Sequence, residues 1–128
     1  MAIQRLIETT VLVDLFRGYE PAREWLDSQP PGESAISVIT VAELLAGCRD
    51  RREQKTAEDE LMSYPVIWDS EATSRVALEW YREFHLSHGV GFLGCLIGAA
   101  AFQHGLELCT LNDKHFKPLP GLRVEQPY

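Results

Sequence analysis

Short apolar runs alternate with longer amphipathic stretches along most of the chain, and that alternation predicts a strand-helix repeat. Residues Ile3 to Ile7 are apolar and bounded, the pattern of a buried strand, and Val11 to Phe16 continues at helical spacing until Gly18 stops it. Pro21 opens a short helix over Ala22 to Leu26, followed by the loop Gln29-Pro30-Pro31-Gly32. Ala35 to Ile39 alternates and is β-branched, predicting a second strand, with a helix beginning at Thr40-Val41-Ala42-Glu43 and passing through Leu44 and Leu45. Arg49 to Lys55 reads as a polar stretch, and a further helix is predicted over Thr56 to Tyr64, ended by Pro65.

Val66-Ile67-Trp68 predicts a brief third strand. Asp69 or Ser70 caps a long amphipathic helix reaching about His85, with Val76, Leu78, Trp80, Tyr81 and Phe84 available for burial. After the turn Ser87 to Gly91, the segment Phe92 to Phe102 is almost wholly apolar and small, which places a helix in the middle of a domain. Leu106 to Thr110 predicts a fourth strand, Asn112 to Phe116 a polar turn, and Leu122 to Glu125 a last strand. Parallel neighbours require crossovers, so the expected fold is α/β: three layers, with a central, mainly parallel sheet of four to five strands and helices on both faces.

With 128 residues, the chain is expected to form a single domain spanning residues 1–128. Apolar residues make up 45% and charged residues 24%, a balance ordinary for a folded protein that excludes disorder as the default. No run reaches membrane-spanning length and the first residues lack a signal-peptide layout, so a cytoplasmic location is expected. Cys48, Cys95 and Cys109 are widely spaced in apolar contexts and read as reduced core thiols. The formal net charge of −7 gives nucleic acid no long-range attraction, so any such contact needs a local basic patch or bridging metal ions. Arg49, Arg51 and Arg52, with Lys55, form the dense basic cluster: either a contact for RNA phosphates or for a partner, or a solvated helix end.

Acidic or amide residues fall where strands hand over to the next element: Glu8, Glu43, and the pair Asn112 and Asp113. In a parallel sheet those ends share one edge, the edge at which open α/β domains present ligand-binding groups. Gathered carboxylates repel one another unless a hard cation neutralises them, and Mg2+ or Mn2+ suits an oxygen-only set, as phosphodiester hydrolysis requires. Each acid also has a plainer role open to it. Glu8 can face solvent, Glu43 can close a capping box with Thr40, and Asp113 can be a turn residue. His85, His88 and His115 read as solvated or capping residues, and Trp80, Tyr81 and Phe84 as core rather than as base-stacking groups. There is no nucleophile motif and no glycine-rich phosphate loop.

Taken in order, four segments carry a resemblance. Leu6-Ile7-Glu8-Thr9-Thr10 leading into Val11 to Gly18 resembles the opening of PIN domains, above all the VapC toxins of bacterial toxin-antitoxin pairs. Ile36 to Gly47 resembles the second motif, with its metal-binding Glu43; the stretch from Ser87 to Ala101 occupies the place of the third; Leu108 to Phe116 resembles the fourth. The resemblance implies a PIN fold, a magnesium-dependent endoribonuclease, a homodimer, and neutralisation by a VapB-type antitoxin. It implies catalytic roles for Glu8, Glu43 and Asp113, and metal binding by Glu8, Glu43, Asn112 and Asp113. Two positions depart from the family pattern. Glu8 stands where that pattern has Asp, and Gly94 stands where a further Asp ligand belongs. A weakened metal site is therefore expected, or a catalytically inactive PIN module that keeps its dimer and its antitoxin. A receiver-like phosphoacceptor is disfavoured by the lack of a strand-end Asp and a later strand-end Lys.

Overall fold

The computed structural model describes residues 2–128. Strands β1 (Arg5–Ile7), β2 (Ser34–Ser37), β3 (Val66–Ile67), β4 (Glu107–Cys109) and β5 (Val124–Glu125) form one sheet in the order β3-β2-β1-β4-β5. Every neighbouring pair is parallel, with Leu6 beside Ala35 and Leu108, and Cys109 beside Glu125. Helices α1 (Thr9–Phe16), α2 (Glu20–Ser28), α3 (Val38–Ala46), α4 (Arg51–Leu61), α5 (Glu71–His88), α6 (Phe92–Gln103) and α7 (Asp113–Phe116) make the connections.

Alternation along each strand divides the interior into two cores, completing the three layers. Leu6, Ala35 and Leu108 point to the side covered by α5 and α6, where Ala77, Trp80 and the run from Cys95 to Ala101 are buried. Ile7, Ile36 and Cys109 point to the other side, against Val11, Leu12 and Leu15 of α1, Ala22 and Leu26 of α2, Leu44 of α3 and Leu61 of α4. Ala and Gly dominate the middle of α6, which lets it lie close to α5 and the sheet. Gly89 ends α5 in the left-handed region at φ 69°, a conformation glycine adopts without steric cost.

Several predicted boundaries move for identifiable reasons. Val38 and Ile39 belong to α3 rather than to β2, because the Ser37 hydroxyl accepts the Ile39 amide and starts the helix there. Thr40 and Glu43 thus lie inside the helix and form no capping box. Helix α4 begins within the supposed polar stretch, capped by Asp50 on the Glu53 amide at 2.9 Å, and ends at Leu61. The turn expected over Asn112 to Phe116 is a single helical turn from Asp113, anchored by buried Phe116. Helix α5 runs on to His88, and Leu78, expected in the core, is half exposed.

Candidate functional site

The sheet edge at the carboxyl ends of β1, β2 and β4 brings together threonine hydroxyls and two of the predicted acids. Glu8 leaves β1 in extended conformation and caps α1. Its Oε1 accepts three hydrogen bonds: from the Thr110 hydroxyl at 2.5 Å, the Thr10 hydroxyl at 2.6 Å and the Thr10 amide at 3.3 Å. The side chain is 6% exposed, so these donors take the place of water around a buried carboxylate. Thr10 and Thr110 are in turn held by the amides of Leu111 and Asn112, at 3.0 and 2.9 Å. The result is a closed network spanning β1, α1 and the end of β4.

Glu43 approaches from α3 but stays exposed, and its Oε1 accepts the Thr9 hydroxyl at 2.8 Å. Thr9 has one hydroxyl proton and gives it to Glu43, so the buried Thr40 hydroxyl, 2.9 Å away, donates to Thr9. Glu8 and Glu43 are therefore attached to the consecutive threonines Thr10 and Thr9 at the start of α1.

The fourth-motif residues turn to other partners. Asp113 pairs with Lys117 at 3.0 Å, and that hydrogen bond holds its carboxyl below the ordinary range. The Asn112 amide nitrogen lies 2.9 Å from Nδ1 of His115. Gly94, in the first turn of α6, faces Val90 and Phe116: a Cβ there would meet the Val90 methyl at 3.6 Å and the Phe116 ring at 3.7 Å, ordinary contact distances. A methyl group at this position is sterically acceptable. Among the described residues, Glu8, Glu43 and Asp113 do not join a cluster of three potential ligands. The residues present do not assemble a three-carboxylate metal centre.

Beside Glu43, a groove of about 950 Å³ runs between α1, α3 and α4, lined by Phe16, Leu44, Arg49, Arg52 and Glu53 among others. Arg49 is pinned to Glu53 at 2.6 Å, while Arg51 and Arg52 are exposed. Two of the predicted basic residues, Arg49 and Arg52, therefore border the same groove as Glu43. The histidines take ordinary roles: Nδ1 of His85 lies 2.7 Å from the Tyr81 carbonyl, and no cluster of three potential metal ligands among the described residues includes a histidine. Trp80 is buried in the core. All three cysteines are free, with Cys95 and Cys109 buried and Cys48 partly so. Sequence reasoning missed the roles of Thr9, Thr40 and Thr110; Thr110 directly follows β4, whereas Thr9 and Thr40 lie in the first turns of α1 and α3.

The model of the PIN domain family matches residues 5–122. The chain belongs to the PIN family. Ribonuclease VapC10 of Mycobacterium tuberculosis is 37% identical over 120 residues, covering 92% of this chain and 90% of the relative. Ribonuclease VapC19 of the same organism is 35% identical over 130 residues, covering 97% and 99%. Among solved structures, a toxin-antitoxin complex from Klebsiella pneumoniae superposes with a TM-score of 0.82 at 30% identity, covering 98% of each chain. DNA-bound VapBC from Salmonella typhimurium gives 0.79 at 25% identity, covering 96% of this chain and 97% of that one. Within the PIN family the chain is of the VapC type. Across its described residues, no helix is long and apolar enough to cross a membrane.

Proposed function

We propose that this protein is a VapC-type endoribonuclease whose metal site is impaired at two of its corners. The relatives named as VapC ribonucleases support the activity class. The observation that carries the impairment is the state of the donor set: Glu8 and Glu43 reach the sheet edge, Gly94 offers no side chain, and Asp113 is paired with Lys117. VapC ribonucleases of this family generally depend on a divalent metal. Mg2+ or Mn2+ is the cation proposed here; Glu8 and Glu43 are the residues proposed to meet it, with Asn112 or Asp113 as a further ligand once released from His115 or Lys117.

The partner in this reading is a VapB-type antitoxin, as in the solved VapBC complexes, and the groove beside Glu43 is its proposed seat. Phe16 and Leu44 supply apolar surface there and Arg49 and Arg52 supply charge, so an amphipathic segment carrying acidic groups would be complementary. The protein is proposed to act as a homodimer on RNA, with Arg51 and Arg52 as exposed phosphate contacts.

A Glu in place of Asp extends the carboxylate by one methylene, and a misplacement of about 1 Å can cost about a hundredfold in rate. The test compares wild type with the Glu8→Asp/Gly94→Asp double variant, reading RNA cleavage with Mg2+ or Mn2+ and metal binding by calorimetry. The double variant is expected to cleave at least about a hundredfold faster. Equal rates in the two proteins would remove the impairment from the proposal. A metal-binding double variant that leaves RNA intact would remove the nuclease. Cleavage by the double variant alone would make the present chain a catalytically inactive PIN module, the second reading, favoured by the lack of a three-carboxylate cluster among the described residues.

A further inference from the structure

On the opposite side of β4 from Leu108, at the junction with the edge strand β5, a second group of ligand atoms converges. Glu107 and Cys109 are two residues apart on β4 and share a face, and Cys109 lies directly beside Glu125 in the parallel register. A carboxylate oxygen of Glu107, the Sγ of Cys109 and a carboxylate oxygen of Glu125 all lie within 4.8 Å of one another.

Three features separate this group from an ordinary acidic surface. Cys109 is fully buried, and among the described residues its thiol has no hydrogen-bond partner, although the Cys48 thiol reaches the Leu44 carbonyl. Its sulfur lies within 4.8 Å of an oxygen of each carboxylate, while the residue also belongs to the apolar core on the α1 side of the sheet. The carboxylates themselves have no salt-bridge partner among the described residues: nearby Arg5 is paired with Glu33 at 3.3 Å, and Arg123 donates to the Gly105 carbonyl at 2.7 Å. Finally, burial is graded from enclosed Cys109 through half-buried Glu107 to exposed Glu125, so the group opens to solvent at the sheet edge.

Arg5, beside Glu107 in the register, and Arg123 act on this group through space without a direct ion pair, and the two close carboxylates are further stabilised by a shared proton or by a cation. Without a cation, a hydrogen bond to Glu125 holds the Glu107 carboxyl above its ordinary range. A mixed sulfur and oxygen donor set selects against Mg2+ and Ca2+, which prefer oxygen alone, and favours a borderline-soft ion. We propose that Glu107, Cys109 and Glu125 form a binding site for a divalent cation of the Zn2+ or Co2+ class, fastening β5 to β4. Binding deprotonates the thiol and releases its proton to solvent, with no change of oxidation state. The cation would sit one residue from Thr110, whose amide donates to the Glu125 carbonyl at 2.9 Å, and so would brace the strand that supports Glu8.

The test uses the full chain stripped of metal by chelation and titrated with Co2+, whose bond to a thiolate produces a sulfur-to-cobalt charge-transfer band. Expected is a saturable band at one equivalent, displaced by Zn2+ and unchanged by excess Mg2+. Glu125→Gln, an exposed change compatible with folding, should weaken Co2+ binding by at least about tenfold, a loss typical even of residues that merely orient a ligand. Cys109→Ser should abolish the band, whereas Cys48→Ser and Glu43→Gln should leave it intact. Absence of the band in wild type would overturn the proposal, leaving a shared proton as the only link between the carboxyls. A band that survives Cys109→Ser, or that Glu125→Gln fails to weaken, would also overturn it. Because the oxygen-only edge at Glu8 and Glu43 cannot produce a sulfur band, the result is independent of ribonuclease activity.

Discussion

At the Glu8 corner each hydroxyl in reach is committed to a carboxylate or a backbone amide, whereas at the Gly94 corner a space the size of a methyl group stands open. Both corners belong to the proposed impairment, but by different physical routes. Glu8 retains its charge and is built into the architecture: it caps α1 and ties it to the end of β4. Gly94 leaves a first-turn helical position without a side chain, and its neighbours Val90 and Phe116 hold no polar group that depends on it. In the proposed site, then, Glu8 doubles as a structural residue, and the two roles should respond differently to substitution.

The strongest test of that contrast on stability is Thr110→Val. Valine keeps the shape but leaves buried Glu8 without its shortest donor and the Asn112 amide without its acceptor. Hydrogen bonds to a charged group contribute about 1.5–3 kcal/mol, and this loss is expected in urea denaturation. Thr40→Val breaks a bond between two neutral hydroxyls and should cost only about 0.5–1.5 kcal/mol. Equal losses at the two positions would show that neither the charge of Glu8 nor the orphaned Asn112 amide adds to the cost.

A smaller effect of opposite sign is expected at Gly94. Gly94→Ala adds a methyl group at ordinary contact distances and removes the backbone entropy that glycine loses in a helix, so it should stabilise by about 0.5–1 kcal/mol. Gly98→Ala supplies the control, since its Cβ would come within 3.3 Å of both Leu119 and Leu122 and force them to move. Thermal unfolding should therefore rank Gly94→Ala above wild type and Gly98→Ala below Gly94→Ala. A destabilising Gly94→Ala would mean that this corner is packed after all.

Much of this layout was legible because it is local. The 3.6-residue spacing of α5, the apolar run of α6 and the strand-helix alternation fix the layers without long-range information, and ordered acids after β1, β2 and β4 mark the edge. The resemblance to PIN domains rested on the same ordered segments and was met by the family match over residues 5–122. What failed was decided elsewhere. Val38 and Ile39 look like strand residues, yet the Ser37 cap draws them into α3. Arg49 to Lys55 reads only as a polar stretch because α4, which starts at Arg51, buries only Ala57 and Leu61, and exposed pairs such as Lys55 with Asp59 fill its other faces. The Thr110 bond to Glu8 spans 102 residues, and the Glu107, Cys109 and Glu125 group exists only through strand register. No local pattern encodes either.

The smallest expected effect concerns Asp113, which would be a third carboxylate at the edge but is paired with Lys117. The hydrogen bond from Lys117 lowers the folded-state pKa of Asp113 below its value in the unfolded chain, so folding releases protons in that interval. The pair's contribution is thus fully present above the unfolded pKa of about 3.9 and is lost as pH falls through the lower folded value. Lys117→Met should lower Tm slightly at neutral pH, because Lys117 is largely exposed and the pair is screened by water. The difference from wild type should shrink in acid and vanish once Asp113 is protonated in both proteins. A Tm difference that stays constant through that acid range would assign the effect of Lys117 to packing of its aliphatic stem, and Asp113 would then be electrostatically free to serve the edge occupied by Glu8 and Glu43.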